Sequence, residues 1–241
     1  VGDENFYNTL QKYDWYYSDI KKEFEVAQKY IKTTDKVLEV GSGKGNFAKY
    51  LNTANYIGLD FSQEAKRMAA ENGIKIENDS IEDFSEKNME NFDVVASFQV
   101  LEHVKNPDKF IEAKLKALKK GGKLIFAVPN DGSFVGKVSN HALNMPPHHV
   151  SRWNRATFEF IAQKYHLKIL AIDCEQMQPP HIHWWLATKI QAFFLKPKLI
   201  DLSLKRKILS KFSFFIVKFL KFFVNRKKLP FGHTITVVFQ K

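Results

Sequence analysis

The chain has 241 residues, 44% of them hydrophobic and 26% charged. That balance suits one globular domain with an appendage and excludes both a disordered tail and a bundle of membrane spans. A single cysteine, Cys174, excludes a disulfide framework and any multi-cysteine metal site, so a cytoplasmic setting is expected. The net charge of +11 is local: residues 186–230 carry twelve Lys or Arg and one acid, Asp201, and the rest of the chain is neutral.

The N-terminal stretch VGDENFYNTLQKYDWYYSD has no basic start followed by an apolar run, so no signal peptide is expected. Residues 1–30 read as a helical cap with many aromatics, among them Phe6, Tyr7, Tyr13, Trp15, Tyr16 and Tyr17. From Lys36 onward short apolar runs at 36–40, 56–60, 74–79, 92–98 and 123–129 read as strands, rich in Val, Ile and Phe and bounded by Gly, Asn or Asp. Helical patterns lie between them at 45–52, 62–72 and 107–119; Pro107 suits a first turn and Gly121-Gly122 a stop. Residues 130–153 read as loop, 154–165 as helix and 167–174 as strand. A basic helical insertion over 184–230 precedes the last strand, 233–240. Alternating strand and helix implies an α/β fold, a doubly wound, mostly parallel sheet buried on both faces. The two final strands, with no crossover between them, imply an antiparallel hairpin, and all of 1–241 forms one domain.

The sharpest motif is Val37-Leu38-Glu39-Val40-Gly41-Ser42-Gly43-Lys44-Gly45, a strand followed by a glycine turn and a helix start. Glycines let the backbone bend and a ligand approach, and a helix N-terminus offers free N–H groups to an anion. The G-x-G-x-G spacing, with Glu39 two residues ahead, departs from the dinucleotide pattern. It suits a nucleoside that ends in an amino acid, whose ammonium Glu39 could hold. Asp60 ends the second strand, where an acid reaches ribose hydroxyls.

In order along the chain, VLEVGSGKGNFAKYL, YIGLDFS, ENDSIEDF, FDVVASFQVLEHVKNPDKFI and LKKGGKLIFAVPN resemble the motifs of class I methyltransferases dependent on S-adenosyl-L-methionine. They are similar to the subgroup that includes ubiquinone-biosynthesis and sugar or small-molecule O-methyltransferases. The likeness covers roughly residues 30–175 and the final strand, and it implies a Rossmann-like, seven-stranded sheet. It further implies that Gly41, Ser42 and Gly43 line the methionine end, Asp60 binds the ribose and Phe61 packs on the adenine. Asp79 would meet the adenine amino group with Ser80 and Ile81 beside the ring, while Phe98, Gln99 and Val100 face the sulfonium.

Methyl transfer to an alcohol needs a base, and histidine titrates in the right range. Met145-Pro146-Pro147-His148-His149-Val150-Ser151-Arg152-Trp153 resembles a loop that borders the acceptor site in related methyltransferases, which makes His149 or His148 the candidate base. His103, in Leu101-Glu102-His103-Val104, reads as an orienting or capping residue. No metal is expected, because His148, His149, His181 and His183 have no acid at ligand spacing. In 203–225, Lys207, Lys211, Lys218, Lys221 and Asn225 form a narrow stripe on a helical wheel, with Phe, Leu and Ile around the rest. That pattern suits an anionic membrane surface, and equally a cap buried on the body or a dimer contact. Nucleic acid is disfavoured because the aromatics lie opposite the lysines. The expected activity is O-methylation of a small, sugar-containing or lipid-linked hydroxyl. The alternatives are an RNA methyltransferase using the insertion and a non-catalytic, donor-binding membrane adaptor.

Overall fold

A computed structural model describes residues 21–53, 55–139, 141, 144–196, 198, 200–220, 223–224 and 229–241. The expected aromatic cap over 1–20 lies outside these residues, as do Lys221 and Asn225. Seven strands form one sheet: β1 (Val37–Val40), β2 (Tyr56–Leu59), β3 (Ile76–Glu77), β4 (Phe92–Phe98), β5 (Leu118–Pro129), β6 (Lys168–Gln176) and β7 (Phe231–Gln240). Their order is β3-β2-β1-β4-β5-β7-β6. The first five are parallel, and β7 runs antiparallel between β5 and β6. The expected terminal hairpin therefore forms, with β6 rather than β7 at the sheet edge.

Helices cover both faces. On one side, α3 (Ile81–Lys87), α4 (Pro107–Ala117) and α5 (Arg155–Lys164) bury Phe84, Phe110, Ile111, Phe158 and Ile161 against Leu38, Val95 and Phe126. On the other, α1 (Lys22–Gln28) brings Phe24 into an aromatic cluster with Phe47 and Phe98, ring centroids 4.6–5.1 Å apart. A short α2 (Gln63–Ala70) follows β2, capped by the Ser62 hydroxyl. Burial on both faces explains why β1 and β4 read as near-continuous apolar runs rather than alternating ones.

Four expectations change. The helix expected over 45–52 is one 3₁₀ segment, Asn46–Tyr50, entered by Gly45 at φ 80°. So short a segment sums few peptide dipoles, so the expected anion-holding helix end is largely missing. The helix over 107–119 stops at Ala117, and Leu118 already belongs to β5. Gly121-Gly122 therefore sits inside a strand, where the register with β4 shifts between Phe92 and Val94. Third, α3 carries only two large apolar positions and escapes a periodicity search, but Ser80 caps it by accepting from Asp83 N–H at 3.0 Å. The Ser-x-x-Asp signature was its signal.

Fourth, the insertion is a helical hairpin, α6 (Pro179–Phe194) and α7 (Leu204–Leu220), and its exposed aromatics do not lie opposite the lysines. Phe212, Phe215 and Phe219 share the outer surface with Lys207, Lys211 and Lys218. The inward face of α7 is taken by Arg206, Ser213 and Val217. No described helix is long and apolar enough to cross a membrane.

Candidate functional site

The strand order reverses between β1 and β4, and in open α/β sheets ligands bind beyond the carboxyl ends of the strands at that point. Two groups of residues meet there.

The first group surrounds the glycine bend. Gly41 has φ 74°, and a Cβ there would lie 2.4 Å from Val100 Cγ2, so only glycine lets the bend close against the end of β4. Gly41 and Ser42 both donate their N–H to Leu59 O, at 2.8 and 3.0 Å. Asp60, just beyond β2, accepts from Gly43 N–H at 2.8 Å on Oδ2 and from Ser62 N–H at 2.9 Å on Oδ1. Each carboxylate oxygen offers two lone pairs, so both keep one for a ligand hydroxyl. Burial raises the Asp60 carboxyl above its usual range, against the two N–H bonds that lower it. Beside it the Phe61 ring stands 78% exposed, an open flat face. Asp79 accepts from Ser80 N–H at 3.0 Å and lies 3.9 Å from Lys87 Nζ.

Other expected contacts are placed differently from their sequence reading. Glu39 is 3% exposed and accepts the Tyr56 hydroxyl bond. Burial pushes its carboxyl up to about 8. The Phe98 side chain turns into the aromatic cluster and Ile81 into the core, so at these positions the backbone rather than the side chain is near the mouth. Gln99 takes φ 57°, donates its N–H to Ala127 O at 2.7 Å and reaches Glu23 with its amide at 3.4 Å. The Val100 side chain lies against the bend.

The second group is a histidine cluster. Leu101–His103 form a single 3₁₀ turn directly after Val100. The loop carrying the two other histidines is tied to that turn by Val150 N–H donating to Glu102 O at 2.9 Å. His103 Nδ1 meets His148 O at 2.8 Å. The rings of His103 and His148 are 4.5 Å apart, those of His103 and His149 4.8 Å, and His148 stacks on His149 at 4.8 Å. His149 Nδ1 lies 3.0 Å from Asn144 Oδ1. An amide oxygen can only accept, so Nδ1 carries the proton and Nε2 the lone pair.

Sequence reasoning did not single out Glu102. Its carboxyl is 1% exposed, with Oε1 3.9 Å from Nε2 of both His103 and His149 and no hydrogen bond to Oε2 among the described residues. Burial pushes it up to about 8. Burial also pushes His148 down to about 4 and His149 to about 3, helped by the neighbouring imidazoles. Donor atoms of the three histidines lie within 4.8 Å of one another, close enough to ligate one cation. Glu102 stands beside this group, 3.9 Å from two of the histidines, and is not one of its donors. His181 stands apart on α6, against Phe134 and His233.

A family described as "Methyltransferase domain" matches residues 13–172. An uncharacterized protein of Methanocaldococcus jannaschii is 36% identical over 132 residues, 53% of this chain and 62% of that protein. A ubiquinone biosynthesis O-methyltransferase of Aliivibrio fischeri is 38% identical over 103 residues, 39% of this chain and 44% of that protein. The chain therefore spans less than two thirds of these curated relatives. The crystal structure of a SAM dependent methyltransferase from Archaeoglobus fulgidus superposes with a TM-score of 0.61 at 15% identity, over 99% of this chain and 100% of that one, a likeness of fold. With the glycine bend, the Asp60 carboxylate and the strand order in place, the chain belongs to the class I methyltransferases that use S-adenosyl-L-methionine.

Proposed function

We propose that the protein transfers a methyl group to a hydroxyl of a small, sugar-containing or lipid-linked acceptor, with His149 taking the hydroxyl proton and His148 orienting the acceptor. The observation that carries this reading is the neutral, oriented imidazole of His149, in a cluster joined to the glycine bend through Val100.

The donor side fits S-adenosyl-L-methionine. A bend without a Cβ admits its amino-acid end, Asp60 keeps lone pairs for ribose hydroxyls, and the bare face of Phe61 suits an adenine. When bound, the cofactor supplies an electrophilic methyl group on a sulfonium.

The chain's own residues do the rest. Holding a hydroxyl in line with that methyl lowers the entropic barrier. Removing its proton as the new bond forms contributes about 10²–10⁴-fold in such reactions. His149 is neutral at physiological pH, so its Nε2 lone pair is ready, but burial makes it a weak base. Glu102, whose Oε1 lies 3.9 Å from that same Nε2, offsets this weakness once ionised, because its charge stabilises the imidazolium that forms. Turnover should therefore rise with pH through the Glu102 ionisation near 8.

The test is a methyl-acceptor screen over hydroxylated aromatics, sugars and prenylated alcohols, followed by His149→Ala. That variant should lose about 10²–10³-fold in kcat and bind S-adenosylhomocysteine within twofold of the parent. An unchanged kcat would remove His149 as the base. Wild-type protein that is folded and binds no S-adenosylhomocysteine would remove the donor site itself.

A further inference from the structure

We propose that the outer face of α7 docks on an anionic lipid surface. Placed at about 100° per residue, Leu204, Phe215, Ile208, Phe219 and Phe212 fall in that angular order within one arc of about 80°. All five are exposed. Lys207, Lys218 and Lys211 flank one side of the arc and Lys205 the other, and all four are exposed. The stripe from Leu204 to Phe219 is about 22 Å long at 1.5 Å per residue. Phe193, Phe194, Ile200 and Leu202 extend the exposed apolar area through the turn between α6 and α7.

The helix is held in this orientation by its polar side. Arg206 is buried, with Nε donating to Asp201 Oδ2 at 3.2 Å and Nη2 to Lys196 O at 3.0 Å. Buried Ser213 accepts from Gln191 Nε2 at 3.0 Å and donates to Ser210 O at 2.8 Å. A surface helix ordinarily packs its apolar side inward. Here hydrogen bonds to α6 and its following loop occupy the inward side, and the Phe-rich arc is left outside.

Charge decides between occupants. Residues 202–230 contain no acid, so the face is uniformly basic around an apolar centre, which complements an anionic bilayer interface. A second copy of the chain across a two-fold axis would set these lysines against each other. A nucleic acid would gain stacking from the phenylalanines but nothing from Leu204, Ile208 or Leu202.

The surface also bears on the acceptor, and here the inference rests on the lipid-linked reading of the function. Trp184 of α6 packs on Phe134 at 5.3 Å and on His141 at 4.7 Å, in the same connection that leads to Asn144 and His149. The insertion that would hold the bilayer is thus packed, through α6, on the loop that carries the candidate base.

The experiment is co-sedimentation of the full chain with vesicles of equal parts phosphatidylglycerol and phosphatidylcholine, and with phosphatidylcholine alone. The expected result is at least about tenfold tighter association with the anionic vesicles, weakening as salt is raised. The triple variant Phe212→Ser, Phe215→Ser, Phe219→Ser should lose at least about tenfold while binding S-adenosylhomocysteine as the parent does. Changing Lys207, Lys211 and Lys218 to Gln should abolish the preference for anionic lipid. Absence of vesicle binding, indifference to the Phe triple variant, a stable dimer that occludes this face, or retention of RNA in place of vesicles would each overturn the proposal. Loss of S-adenosylhomocysteine binding in the parent chain would instead defeat the functional reading and leave the vesicle result standing.

Discussion

The two halves of the site are built in different ways. The donor half gathers Gly41–Gly43, Asp60–Ser62 and Asp79–Ser80 at the carboxyl ends of three adjacent parallel strands, and backbone N–H groups fix its one central carboxylate. The acceptor half joins Glu102 and His103 to His148 and His149, and it rests on contacts between titratable groups of two distant segments rather than on a bent backbone. One half stores its geometry in φ angles and strand register, the other in side-chain contacts between distant segments. Substitutions should therefore break them in different currencies.

The largest effect is expected at the bend. Gly41→Ala forces a Cβ into Val100 Cγ2 at 2.4 Å in a backbone region that L-residues avoid. S-adenosylhomocysteine binding should fall by more than about 100-fold by isothermal titration, with far-ultraviolet circular dichroism preserved. Asp60→Ala leaves the bend standing and removes only the carboxylate, so its loss should be about tenfold, the scale of one or two charge-assisted hydrogen bonds. Equal losses in the two variants would mean that the bend and the carboxylate do not act separately.

A smaller effect is read by pH, and it draws on one buried carboxyl from each half, Glu39 ahead of the bend and Glu102 in the cluster. Glu102 and Glu39 ionise near 4.5 when unfolded and near 8 when folded. Between those values the folded chain holds more protons, so stability falls as pH rises through this window. His148 and His149 act in the opposite sense. The folded protein keeps them neutral down to about 4 and 3 while the unfolded chain protonates below 6.5, so stability falls as pH drops below 6.5. For these four groups the two slopes cancel at about pH 5.5, so the melting temperature should peak there. From pH 6.5, where the histidines cease to oppose, up to about 8, each carboxyl costs about 2 kcal/mol at roughly 1.4 kcal/mol per unit. Glu102→Gln should remove about half of that alkaline decline and also flatten the rise of kcat near pH 8. A variant that changes the melting curve but leaves the rate profile intact would make Glu102 a structural group only. The same carboxyl is thus expected to destabilise the fold and to assist turnover, as buried groups at active sites often do.

The sequence displayed these halves unequally, for the same physical reason. Glycine spacing and the acid ending the second strand are local patterns, and parallel pairing carries them into contact without further information. The parallel sheet was legible because β1, β4 and β5 are buried on both faces and so spell near-continuous apolar runs, and the terminal hairpin because no crossover separates its strands, whereas the place of β7 between β5 and β6 was not. Contacts made between distant segments leave no such trace. Glu102 looked like one acid in a Leu-Glu-His triplet, and bonds from Val150 and Ser151 to the turn's carbonyls and from His103 to His148 O bring it within 3.9 Å of His149. Phe98 and Ile81 were assigned to the mouth by position, yet each side chain follows the larger gain of core burial. On α7 the wheel ranked residues by hydropathy, whereas the fold chose the inward side by the hydrogen bonds of Arg206 and Ser213.

The smallest expected effect concerns the cluster's second capacity. Three imidazoles with a carboxylate 3.9 Å from two of them have the ligand types of a divalent cation site. Several of these donors already have partners, however: His103 Nδ1 is taken by a backbone carbonyl and His149 Nδ1 by Asn144. If His149 acts as a base through Nε2, exhaustive chelation should leave kcat within twofold, and added Zn²⁺ should inhibit by occupying the lone pair that must receive the proton. Loss of activity on chelation, restored by Mn²⁺ or Mg²⁺ and abolished in Glu102→Gln, would reverse the assignment: the cluster would then be a metal centre, and the acceptor hydroxyl would be activated by coordination rather than by an imidazole.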